Sequence, residues 1–141
     1  MPNRRILPVI AAALLCAPVT AHAAEPITGR WLTEAKDGIV EISQCGATIC
    51  GKLVKYLVTP PAGVGQKDVH NPNAKLRDRK VLGINILYGF KPDGKKWRGT
   101  IYDPRSGKSY RSVLERKSPS NLKVDGCIGP FCQGQSWKKA Q

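Results

Sequence analysis

Aromatic residues are scarce, at 6% of the 141-residue chain, and the 10 acidic residues are outnumbered by 23 basic ones. Of two histidines, only His70 lies beyond the first 23 residues. These shortages exclude whole classes of protein. There is no aromatic-rich RNA-binding signature, zinc-finger spacing or recognisable recognition helix, which argues against specific nucleic-acid binding. There is no Gly-x-Ser-x-Gly elbow, phosphate loop or His-Glu-x-x-His motif. No strand–helix–strand alternation, internal repeat or long low-complexity stretch occurs. Beyond residue 23 nothing is apolar enough to cross a bilayer as a helix.

What is present begins with an address. Arg4 and Arg5 precede a mostly apolar run, Ile6 to Val19, and Ala21-His22-Ala23 is a small-x-small cleavage site. That three-part pattern is a secretory signal peptide. It predicts residues 1–23 as signal and 24–141 as one exported domain, periplasmic or secreted. A rival use of Cys16 as a lipid-attachment site is disfavoured by Leu15, where a small residue belongs. Cleavage would leave a formal charge of +11 from the whole chain's +13, since Arg4 and Arg5 are the only charges removed. Such a surplus favours anionic partners such as lipid headgroups or acidic polymers.

The four remaining cysteines form two close pairs, Cys45/Cys50 and Cys127/Cys132. An even count in an exported chain implies disulfides. Three connectivities exist. Each close pair encloses a turn, which places its ends opposite one another in a hairpin, so Cys45–Cys50 and Cys127–Cys132 are favoured. The C-x4-C spacing is wider than the usual zinc or redox spacing, so no metal is expected. No cofactor motif is evident.

The hairpin Trp97 to Glu115 fixes the fold class. Trp97, Gly99 and Ile101 share one face, while Arg98, Thr100 and Tyr102 share the other, the period of a half-buried strand. Asp103-Pro104-Arg105-Ser106-Gly107 is a turn, with Asp103 as its capping acceptor. Other strands are expected at 27–33, 39–44, 49–57, from 81 onward, at 122–128 and at 131–138. In the fourth, Ile84, Ile86, Tyr88 and Phe90 alternate with Asn85, Leu87 and Gly89. About eight short strands joined by tight turns predict an all-β fold, a small closed antiparallel barrel largely filled by side chains. A β-sandwich is the alternative. One long loop, 58–80, interrupts the pattern. Within it Asn71 as N-cap and Pro72 predict a short helix over 74–79 lying on one barrel end.

Several stretches together resemble domain-of-unknown-function family 2147, a family of small exported bacterial proteins. They are Gly29-Arg30-Trp31; Lys67-Asp68 with Asn71-Pro72, Arg77 and Arg79; Leu82-Gly83; the run Ile101-Tyr102-Asp103-Pro104-x-Ser106-Gly107-Lys108-x-Tyr110; and Leu122 to Gly126 ahead of Trp137. The resemblance implies a lipocalin-like barrel and export, with no assigned activity and no catalytic residue to carry over.

Asp68, Asn71, Arg77, Arg79, Tyr102 and Asp103 are the candidate ligand-binding residues. Guanidinium groups fork onto carboxylates and other anions. The plainer alternative is that an arginine pairs with Asp68 or Asp103 and pins the loop to the barrel. His70 beside Asp68 is the one candidate base for a hydrolase. The sequence thus points to a non-enzymatic barrel that binds a small or amphipathic ligand or an envelope component at the mouth near loop 58–80. The alternative is a basic module docking onto acidic envelope polymers or anionic lipid.

Overall fold

A computed structural model describes residues 17–18 and 22–141. The expected signal peptide falls mostly outside the described residues, and Cys16 wholly so. Eight strands form a closed antiparallel barrel: β1 (Gly29–Leu32), β2 (Gly38–Cys45), β3 (Thr48–Tyr56), β4 (Asn85–Asp93), β5 (Lys96–Asp103), β6 (Lys108–Ser118), β7 (Asn121–Ile128) and β8 (Phe131–Lys139). Each strand pairs with the next in sequence, and β1 pairs with β8. Closure removes free sheet edges. It rests on two residue pairs, Trp31 with Lys139 and Leu32 with Lys138.

The interior is a packed core. Trp31, Val40, Ile42, Leu87, Phe90, Leu114, Leu122, Val124 and Trp137 are all buried and form one cluster. Small residues make room for large ones. A Cβ on Gly99 would sit 2.6 Å from the Phe90 ring, and one on Gly51 would sit 2.8 Å from Leu87. Gly29 has φ +120°, and the Lys139 ammonium occupies the place a Cβ would take, over the face of Trp31.

Before β1, residues 25–28 cross the barrel end that also carries the β2–β3, β4–β5 and β6–β7 turns. They form no strand, yet their carbonyls are captured one after another. Trp97 Nε1 donates to Glu25 O, Arg116 Nη1 to Pro26 O, Trp31 Nε1 to Ile27 O and Lys139 Nζ to Thr28 O, at 2.7–3.1 Å. Of these carbonyls that of buried Ile27 most needs its partner. Ile27, expected within the first strand, instead packs into the core ahead of it.

The fourth strand departs from simple alternation. Leu87 and Phe90, three residues apart, are both fully buried, while Tyr88 is exposed. Gly89 adopts φ +69°, and the pairing register with β5 shifts between Tyr88 and Lys91. The extra residue is a bulge that turns Phe90 inward and leaves Tyr88 outside.

Both short disulfides are formed, Cys45–Cys50 across the β2–β3 turn and Cys127–Cys132 across the β7–β8 turn. At the tip of that hairpin Ile128 is 69% exposed, opposite Phe131 at 80%.

Candidate functional site

The loop between β3 and β4 leaves the barrel at the end shared by the β1–β2, β5–β6 and β7–β8 turns. It closes on itself through a clasp: Asp68 N–H donates to Arg79 O, Val81 N–H donates to Gln66 O, and Lys67 bridges Lys80. That pairing ties residues 79–81 to 66–68. The expected helix over 74–79 is therefore cut to one 3-10 turn, Ala74–Leu76, capped by Asn73 rather than Asn71. Asn71 has another task. Its Oδ1 accepts from Asn73 N–H at 2.9 Å, and its amide donates to Asp68 at 2.9 Å and to Tyr102 at 3.0 Å.

Asp68 is the hub. It is fully buried, and its carboxylate accepts from Tyr102 Oη at 2.5 Å, from Asn71 Nδ2, and from Arg79 Nε and Nη2 at 3.0 and 2.9 Å. A buried carboxylate is tolerable only when so surrounded. Burial, the hydrogen bond and the adjacent Asp68 charge together push the Tyr102 hydroxyl up to about 12, so it stays a neutral donor. Arg77 does not reach Asp68; its Nε donates to Asn71 O at 2.8 Å. Neither arginine enters the barrel. Asp103 stands apart, capping its own turn by accepting from Arg105 N–H and Ser106 Oγ at 3.0 Å.

Four of the six candidate residues thus converge: Asp68, Asn71, Arg79 and Tyr102. Arg77 braces them from behind. The convergence lies on the outer wall beside the mouth. Gly99 and Ile101 face the interior, so Tyr102 and its cross-strand partner Ser109 face outward. The His70 carbonyl fills the space a Cβ on Gly107 would need, docking the loop onto the β5–β6 turn. Every oxygen of Asp68 is engaged by other donors, and among the described residues none of its partners is His70. The carboxylate that a His70-centred hydrolase would need is therefore occupied.

Between loop and wall lies an open cleft of about 370 Å³, lined by Asn71, Pro72, Leu76, Arg79, Asn85, Tyr88, Tyr102 and Ser109. Its floor is outward-facing β4–β6, where Tyr88 Oη donates to Ser109 Oγ at 3.1 Å. Its lid is the 3-10 turn. The Arg79 side chain is 36% exposed although Asp68 is wholly covered, so its guanidinium spans the boundary between hub and cleft. Pro72, Leu76, Asn85, Tyr88 and Ser109 are the lining residues that sequence reasoning did not name as site candidates. Ser109 was reachable from the hairpin register with Tyr102, whereas Tyr88 was hidden by the bulge. Among the described residues no cluster of three or more potential metal ligands occurs.

Comparison with known proteins agrees with this architecture. No curated protein matches the chain. Among solved structures it is similar to protein HP1028 from the human pathogen Helicobacter pylori, described as belonging to the lipocalin family. Identity is 21%, coverage is 82% of this chain and 84% of that chain, and the TM-score is 0.71. At that identity the likeness concerns the fold, which is a lipocalin-like barrel. The model of a bacterial family described as uncharacterized protein conserved in bacteria (DUF2147) matches residues 29–139. Those bounds run from the start of β1 to the end of β8 and include the loop and its hub, and the chain belongs to this family.

Proposed function

We propose that this chain is an exported, non-enzymatic binding protein that takes a small amphipathic ligand with an anionic head in the cleft between loop 58–80 and the outer wall of β4–β6. The observation that carries the reading is the composition of that cleft. Arg79, Tyr88, Tyr102 and Ser109 line it together with Pro72 and Leu76, around a space of about 370 Å³. Asp68 engages Nε and Nη2 of Arg79, leaving Nη1 for a ligand oxygen. A few convergent polar groups beside an apolar patch are what fixes a small ligand's orientation. The barrel interior is the poorer receptacle, since its core is filled by Trp31, Leu87, Phe90, Leu114 and Trp137.

Two features support export. Both disulfides close, as an oxidising compartment favours. Cleavage after Ala23 also leaves the anchored segment Glu25–Thr28 intact. The test is a thermal-shift panel of carboxylates, phosphates, sugar acids and fatty acids. A ligand that raises Tm for the wild type and fails to do so for Tyr88→Ala is the expected result. No shift across the panel, together with native mass spectra of the envelope-purified protein that show no bound mass, would reject it.

A further inference from the structure

Among the described residues seven large hydrophobic ones are exposed: Leu57, Val58, Val64, Val69, Tyr88, Ile128 and Phe131. Tyr88 belongs to the cleft. The other six all lie in, or directly beside, the β3–β4 and β7–β8 connections, at one end of the barrel. The turns at the opposite end, Gly46-Ala47, Gly94-Lys95 and Pro119-Ser120, contribute none. Among the described residues, the barrel therefore has an apolar end and a polar end. Scattered single apolar residues need no explanation, but confinement to one end does.

The apolar end is also cationic. Its four connections, residues 33–37, 57–84, 104–107 and 129–130, hold seven basic residues against four acidic ones, and one of those four is the buried, fully engaged Asp68. Lys36, Lys75, Arg77 and Lys80 are exposed there, and none is in an ion pair with a described residue. The two most exposed apolar side chains, Phe131 and Ile128, are cross-strand partners flanking the Gly129-Pro130 turn. The tip is held rigid by Cys127–Cys132 and by the Arg111 guanidinium, which donates to Gly129 O.

We infer that this end docks onto an anionic phospholipid bilayer, with the β7–β8 tip inserting Ile128 and Phe131 among the acyl chains and the surrounding cations meeting the headgroups. A disulfide-braced tip loses little conformational freedom on insertion. The apolar groups stand on separate connections around a rim rather than in one groove, which suits an extended fluid acceptor. Positive charge on the same rim supplies the attraction to negative lipid.

The experiment is paired vesicle sedimentation of the full chain and its Ile128→Ser/Phe131→Ser variant, with identical leading segments. Vesicles are phosphatidylcholine alone and phosphatidylcholine with phosphatidylglycerol. Both substitutions sit at exposed positions, so the fold is retained, and an unchanged circular dichroism spectrum verifies it. Expected are binding to the anionic vesicles that weakens as salt rises, and a loss of about ten-fold or more in the variant. Equal binding by both proteins, binding indifferent to phosphatidylglycerol, or no binding overturns the inference. So does a wild-type dimer that the variant abolishes without any vesicle binding, which would mark the tip as a contact between copies.

Discussion

The phenol of Tyr102 donates to the carboxylate of Asp68 at 2.5 Å, joining the outer wall of β5 to a loop residue 34 positions earlier in the chain. Asn71 and Arg79 complete the shell around that carboxylate. Removing one member leaves buried polar groups without partners. Asp68→Ala is expected to cost about 3–5 kcal/mol, and Tyr102→Phe about 1–3 kcal/mol. Because both act on one network, the double variant should lose less than the sum. Urea unfolding followed by circular dichroism measures all three; strict additivity would mean that the two groups act separately.

The same bond sets an alkaline limit. Tyr102 titrates at about 12 in the folded chain against 10 ordinarily, because burial and the Asp68 charge oppose the phenolate. A raised folded value contributes stability that is complete below pH 10 and is lost as pH climbs through 12. The urea midpoint should fall between those limits in the wild type, and that fall should be much shallower in Tyr102→Phe.

Gly107 and Gly129 offer a matched pair. Both have positive φ, +70° and +56°. A Cβ at Gly129 meets nothing, whereas at Gly107 it collides with the His70 carbonyl. Gly129→Ala should cost about 1–2 kcal/mol from backbone strain alone. Gly107→Ala should cost more, and should speed amide exchange at Asp68 and Asn71 as the loop lifts. Equal costs would refute the docking contact.

The N-terminal strap predicts where truncation becomes harmful. A chain starting at Ala24 keeps all four carbonyl contacts of residues 25–28 and the buried side chain of Ile27. A chain starting at Gly29 loses them. Burial of one isoleucine is worth about 1.5–3 kcal/mol, so the shorter form should melt well below the longer one by calorimetry. Matching Tm values would show that the strap only rests on the barrel.

Much of the barrel was legible because strand residues declare their faces locally. Trp97, Gly99 and Ile101 needed only the period of two, and the turn at Asp103–Gly107 only its own chemistry. The cysteine pairs were legible because five residues of separation across a hairpin turn leave little choice. The failures were tertiary in origin. Gly89 in a strand reads the same whether or not it bulges, so the burial of Leu87 together with Phe90 could not be foreseen. The helix over 74–79 has a reasonable local signal, but residues 79–81 pair with 66–68 instead. The Asp68 cluster was found by residue type, and its arginine–carboxylate pinning was foreseen as the plainer alternative. Its place on the outer wall depends on how the loop docks at Gly107, which no local pattern encodes.

Backbone amide NMR with a ligand from the thermal-shift panel most directly tests where that ligand binds. Shifts concentrated at Asn71, Leu76, Arg79, Asn85, Tyr88 and Ser109, the two faces of the cleft, are the predicted result. Shifts concentrated instead at inward-facing Ile101, Ser112 and Gly126 would contradict it and put the ligand inside the barrel.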